Sequence, residues 1–439
     1  MTYSPSLRPV LAGLSLTLAL GACQSDKKPE AAATADAATA PATLTDGTWR
    51  GVLSAQGQEI PFLFDVATAG GKPTVTLRNG EERLKLDEIT SAGDSTTIRL
   101  GVFDAALVVR ADGEDKLKGS WVKYDGKEPY RVPFAATKGE QQLFAVAAAR
   151  KALSFDGTWK VTFKGDDGET YPAVGIFKQT GTDVTGTFLT TTGDYRYLAG
   201  QVDGANLKVS TFDGSHGFLF TAHNGPKEPI DITKEYAPNT LFGDFYSGKS
   251  GHETWTAVRD PTAKLPDANA LTGMKPGQKK LDFKFPNIFE GGSISPSDPK
   301  YRGKVVVIQI LGSWCPNCMD ETNFLAPWYE KNKSRGVEVI GLGYERTADQ
   351  KLAAQKLLKM KQRMNIGYDL AVAGIADKEA AAKSLPQLAQ VLAFPTTIFL
   401  DKKGEVRKIH TGFSGPGTGK YYEAEMADFN QTVDKLLAE

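Results

Sequence analysis

The chain has 439 residues, and its 52 basic and 52 acidic side chains cancel. A near-zero charge argues against nucleic acid as a partner. The three cysteines, Cys23, Cys315 and Cys318, are far apart in kind: one closes an apolar leader and two form a Cys-x-x-Cys pair.

The leader sets the compartment. Arg8 is the only charged side chain before Asp26, and Val10 to Ala22 is apolar or small. That run is too short to span the roughly 30 Å of bilayer hydrocarbon as a helix, so it reads as a signal-peptide core. No other stretch is long and apolar enough to span. Leu20-Gly21-Ala22-Cys23 resembles the bacterial lipobox, whose cysteine is acylated and becomes the first mature residue. An ordinary secretion signal with an incidental cysteine is the alternative. On the lipobox reading, 1–22 is a signal peptide, and Cys23 carries a lipid anchor that holds the protein to a membrane on the periplasmic side of the cell envelope.

Residues 23–44 are rich in Ala, Thr, Pro and Asp and read as a flexible linker. Beyond it Asp46-Gly47-Thr48-Trp49 returns as Asp156-Gly157-Thr158-Trp159, and Phe103-Asp104 returns as Phe212-Asp213. Lys118-Gly119-Ser120-Trp121 has a looser echo in Phe242-Gly243-Asp244-Phe245, its offset lengthened by an extra stretch near Asn224–Asn239. Short alternating runs such as 61–66, 97–100 and 106–109 are punctuated by hairpin signals, including Arg78-Asn79-Gly80. This predicts two related antiparallel all-β modules, 45–140 and 154–262, each a small barrel or sandwich. The Ala-rich segment 141–153 between them reads as a short helix. His216, His223 and His252 lack metal-ligand spacing and read as surface or loop residues, so no metal site is expected.

The pattern changes near residue 275. The apolar run 305–311 between turn signals predicts a strand buried on both faces. Trp314-Cys315-Pro316-Asn317-Cys318 follows at once. Further on, 337–342 predicts a strand, 348–364 a helix, 396–400 a strand, 405–410 its hairpin partner and 421–437 an amphipathic terminal helix.

This order of elements resembles a thioredoxin fold, and over about 281–439 it is similar to the TlpA/ResA-like extracytoplasmic thiol–disulfide oxidoreductases. The resemblance rests on the buried strand running into Gly312-Ser313-Trp314-Cys315-Pro316-Asn317-Cys318, on Glu321 three residues later and on Phe394-Pro395-Thr396-Thr397. It implies an α/β thioredoxin-like C-terminal domain over 275–439, preceded by the two β-modules. Cys315 at a helix N-terminus should have its thiol pKa lowered by the unpaired N–H groups and the helix dipole. It would attack the substrate disulfide, and Cys318 would resolve the mixed disulfide. Pro316 suits the first helical position. Trp314, Pro316, Asn317, Phe394 and Pro395 would face substrate, with Pro395 in the place of the family's cis-proline. Glu321, one turn beyond Cys318, is the candidate acid/base, through a carboxyl pKa raised by desolvation.

Two positions depart from the family. Gln309 stands where thioredoxin has a buried Asp, and Asn323 stands where a helix-kinking Pro is usual, with Pro327 further on. Three functions compete: a reductase of exported protein disulfides fed by a membrane thiol donor, an oxidase or isomerase using the same pair, and a non-catalytic binding lipoprotein. A four-residue loop makes a poor structural disulfide. Gly312 occupies the place of the peroxiredoxin Thr, which argues against a peroxidase. No cofactor is implied.

Overall fold

The computed structural model describes residues 44–126, 128–147, 151–225 and 240–439. The signal, Cys23, the linker up to residue 43 and most of the extra stretch before Asn239 lie outside the described residues.

Nine strands make the first sheet: β1 (Gly47–Ala55), β2 (Gln58–Ala69), β3 (Lys72–Asn79), β4 (Glu82–Leu86), β5 (Ile89–Ala92), β6 (Ser95–Arg99), β7 (Ala105–Ala111), β8 (Lys116–Lys123) and β9 (Tyr130–Lys138). Their order is β4-β3-β2-β1-β9-β8-β7-β6-β5. The two end strands are joined by Asp87 and Glu88 alone, so the sheet must curl until its edges approach. Alternation drives the burial. In β1 Trp49, Gly51, Leu53 and Ala55 point inward while their neighbours face out.

The second sheet holds β10 (Gly157–Gly165), β11 (Thr170–Thr180), β12 (Asp183–Thr190), β13 (Gly193–Asp194), β14 (Leu198–Asp203), β15 (Asn206–Phe212), β16 (Gly217–Asn224), β17 (Thr240–Ser247) and β18 (Gly251–Arg259). Here β11 also pairs with β12, so eight strands close into a barrel filled by Trp159, Phe163, Phe188, Phe220 and Trp255. The Asp-Gly-Thr-Trp segments occupy the same place in each sheet. Each opens the first strand, and each indole N–H donates to the carbonyl four residues back, Trp49 to Thr45 at 3.0 Å and Trp159 to Phe155 at 2.8 Å. The first sheet packs on the second through Phe62 and Phe212, whose rings lie 4.5 Å apart.

The helix expected over 141–153 is absent from its described residues, 141–147 and 151–153. Backbone groups there are taken by side chains instead: Arg50 donates to Leu143 O, and Gln201 Oε1 accepts from Phe144 N. Of the three histidines of the β-region, His223 and His252 are partly exposed strand residues of β16 and β18, and His216 lies in the loop between β15 and β16.

After a short ribbon of β19 (Phe285–Pro286) and β20 (Ser293–Ile294) comes the five-stranded sheet β23-β22-β21-β24-β25. It comprises β21 (Val305–Leu311), β22 (Val337–Glu345), β23 (Asp369–Ile375), β24 (Thr396–Leu400) and β25 (Val406–Thr411). β21, β22 and β23 run parallel, and β24 and β25 antiparallel. Helices α1 (Pro316–Asn332), α2 (Gln350–Arg363) and α4 (Lys420–Ala438) cover the face carrying Val305, Val307 and Leu311. α3 (Lys378–Ser384) covers the other, with Val306, Ile308 and Ile310. A strand buried on both faces thus needs apolar residues at odd and even positions alike. This is a thioredoxin-like domain. Among the described residues no helix is long and apolar enough to cross a membrane.

Asp349 caps α2 by accepting from the N–H groups of Lys351 and Leu352. Asp349→Ala should lower stability by about 1 kcal/mol in denaturant melts, since two helix-end donors lose their partner.

Candidate active site

The chain leaves β21 at Leu311 and turns through Gly312 into α1. A side chain at 312 would meet the Trp314 indole at 2.2 Å and the Tyr344 carbonyl at 2.8 Å, so glycine is required. The turn is clamped by Glu345, whose carboxylate accepts from Ser313 N and Ser313 Oγ, each at 2.8 Å. Trp314 donates from its indole to Tyr344 O at 2.9 Å, and the Arg346 guanidinium stacks on its ring at 4.4 Å.

Cys315 is the N-cap of α1, and Pro316 opens the helix at a position that needs no N–H. Cys315 Sγ accepts from Cys318 N at 3.2 Å, so a helix-end donor points at the sulfur. Its thiol also meets Phe394 O at 3.3 Å, across a cis Phe394-Pro395 bond. Cys315 is 5% exposed and Cys318 fully buried; both are thiols. Burial, foremost, then its contact with Cys315, pushes the Cys318 thiol well above its usual range, and the nearby Glu321 adds to this.

Glu321 is buried on the helix face turned toward the sheet. Its carboxylate accepts from Gln309 Nε2 at 2.7 Å and from Thr397 Oγ1. Desolvation outweighs these bonds and pushes the carboxyl up to about 7. Gln309, which cannot titrate, holds the residue that can, and is itself fixed by Thr322 and by the Tyr368 hydroxyl at 3.3 Å. Asn323 lies within a helix that runs on to Asn332 with Pro327 inside it.

The structure thus gathers Trp314, Cys315, Pro316, Cys318, Glu321, Phe394 and Pro395 around one helix end. Asn317 turns elsewhere: its amide donates to Asp194 O, in the second β-sheet, at 3.2 Å. Sequence reasoning missed Thr397, although the Phe-Pro-Thr-Thr segment contains it. It also missed Glu345, whose only signal is an acidic residue ending a buried strand. His410 was missed as well. It is paired with Glu425 at 3.1 Å beside the Glu321 pocket, and that pairing outweighs burial and raises its pKa. No cluster of metal-binding side chains occurs among the described residues.

A Redoxin family model matches residues 275–426. The thiol-disulfide oxidoreductase ResA of Geobacillus kaustophilus (strain HTA426) is 28% identical over 112 residues, covering 26% of this chain and 57% of ResA. ResA of Bacillus thuringiensis subsp. konkukian (strain 97-27) is 30% identical over 117 residues, covering 27% and 59%. The chain therefore spans less than two thirds of the length of these relatives. Among solved structures, a putative protein disulfide isomerase from Bacteroides thetaiotaomicron aligns with 23% identity and a TM-score of 0.29, over 38% of this chain and 93% of that one.

Proposed function

We propose, from the premise that residues 275–426 form a TlpA/ResA-like domain with a thioredoxin fold, that this chain is an extracytoplasmic thiol–disulfide oxidoreductase that reduces protein disulfides. The observation that carries this is Cys315 Sγ at the N-cap of α1, receiving the Cys318 N–H beside a cis-proline loop. That geometry sets the attacking sulfur at a helix end, with a backbone donor aimed at it and the partner thiol one turn further in.

The Cys315 thiolate attacks one sulfur of the substrate disulfide, forming a mixed disulfide and releasing the other sulfur as a thiolate. Cys318 gives up its proton and attacks Cys315 Sγ, which frees the second substrate sulfur. Two electrons pass from the dithiol to the substrate, leaving a Cys315–Cys318 disulfide. A thiol so strongly disfavoured as an anion needs a base, and Glu321, with a carboxyl near neutrality, serves as the acceptor. Trp314, Phe394 and Pro395 shape the substrate side. A membrane thiol donor restores the dithiol, and Cys23 anchors the protein to the membrane at the periplasmic face. We divide the chain into domains at 45–140, 154–262 and 275–439, the first two being related repeats.

Cys318→Ala should trap substrates as mixed disulfides on Cys315, visible as adducts on non-reducing gels that reductant dissolves. A titrated potential well below about −200 mV supports a reductase. A value near −120 mV, the range of strong oxidants, would reverse the direction assigned here.

A further inference from the structure

The β-region touches the dithiol motif at two backbone carbonyls, Trp314 O and Pro316 O, and at the Asn317 side chain. Ser215 Oγ donates to Trp314 O at 3.0 Å. Arg196 donates through Nη1 to Pro316 O at 2.8 Å and to Asp320 Oδ2 at 2.6 Å, and through Nη2 to Glu82 of the first sheet. Asp194 receives the Asn317 amide on its carbonyl, and its carboxylate accepts from Gly415 N at 2.6 Å. Arg196, Asp320, Glu82 and Asp194 are all buried. Further out, Lys356 meets Asp104 at 2.8 Å and Arg346 meets Asp125 at 2.5 Å. One guanidinium therefore ties both β-sheets to the first turn of α1.

We infer that Arg196 is a positioning residue for the dithiol, and that through it the β-region forms a roof admitting only thin disulfides. Cys315 is only 5% exposed beneath that roof, so its substrates are disulfides in small molecules or in extended, protruding segments. Pro316 and Asn317, which would otherwise face substrate, are occupied by Arg196 and Asp194. The dependence on Arg196 is steep because a buried ion group fails when one partner is removed: Asp320 and Glu82 are then left as uncompensated charges. Losing the guanidinium frees the roof to lift.

This inference rests on the oxidoreductase reading, and the test separates the two. The reduced full-length protein is mixed with oxidised glutathione and, separately, with insulin, and thiol loss is timed. Wild type should favour glutathione. Arg196→Ala should raise the insulin-to-glutathione rate ratio about tenfold, the change expected if the open fraction rises by that factor. Ser215→Ala should raise it in the same direction by less, and Arg196→Lys, which keeps the charge but not the fork, should fall between Arg196→Ala and wild type. Should Arg196→Ala fail to fold, the other two variants decide the matter. Hydrogen exchange at Asn317 and Cys318 should quicken in step with the ratio. An unchanged ratio in folded variants overturns the roof. If wild type reacts with neither disulfide, it is the oxidoreductase reading that fails.

Discussion

Cys315→Ser should bring disulfide reduction down to the rate of buffer alone, with both glutathione and insulin, while the melting temperature stays near wild type. A hydroxyl cannot carry the sulfur–sulfur exchange, because the reaction needs a thiolate nucleophile that becomes the leaving group in the next step. Serine preserves the cap: its oxygen still accepts from the Cys318 N–H, as hydroxyls commonly do at this position. The variant thus separates chemistry from folding. Stopped-flow thiol consumption and a parallel thermal melt check it, and residual turnover above background would remove Cys315 from its assigned role. Cys318→Ala differs in kind, since the first exchange proceeds and the second cannot.

Glu321→Gln should slow resolution about a hundredfold while making the protein more stable above neutral pH. The two effects have one origin. The carboxyl ordinarily titrates at 4.5 and is pushed up to about 7 by desolvation. Below pH 4.5 the group is protonated in both folded and unfolded chains and costs nothing. Between pH 4.5 and 7 the unfolded chain ionises while the native one keeps its proton, so stability falls as pH rises. Above pH 7 the whole penalty, on the order of 3 kcal/mol, is present. Glutamine removes it but can accept only one of the two bonds from Gln309 and Thr397, which returns about 1 kcal/mol. The net gain at pH 8 is therefore about 2 kcal/mol, falling to zero near pH 5 and turning into a loss of about 1 kcal/mol at pH 4. Melts across that range and rapid-quench detection of the mixed disulfide test both halves. A variant equal to wild type in resolution rate at pH 7 would leave Glu321 a structural group.

The site was legible where a few neighbouring residues determine the outcome. Strand β24 occupies Thr396–Leu400 as expected, because five consecutive residues fill both faces of a sheet. The terminal helix, expected over 421–437, spans Lys420–Ala438 on a clear apolar stripe. Strand β23 escaped notice, since Asp369–Ile375 follows a helix closely and carries alanine and glycine where a strand signal wants branched residues. Gln309 is the sharpest contrast. From sequence it marks a departure from the family; in the structure its amide is what fixes Glu321, twelve positions away on the helix.

What the sequence settled alone was the chemistry of the motif: a cysteine before proline at a helix start, a second cysteine one turn on and a proline-threonine strand to face them. These are short-range facts, set by capping, by proline's fixed φ and by alternation. Only the tertiary structure decided what stands over the motif. Arg196, Asp194 and Ser215 reach it across roughly a hundred residues or more, and neither composition nor periodicity marks an arginine that will be buried between two carboxylates, Asp320 and Glu82. Such pairs form because packing two β-sheets on a helix end strips water from charges, which must then find one another.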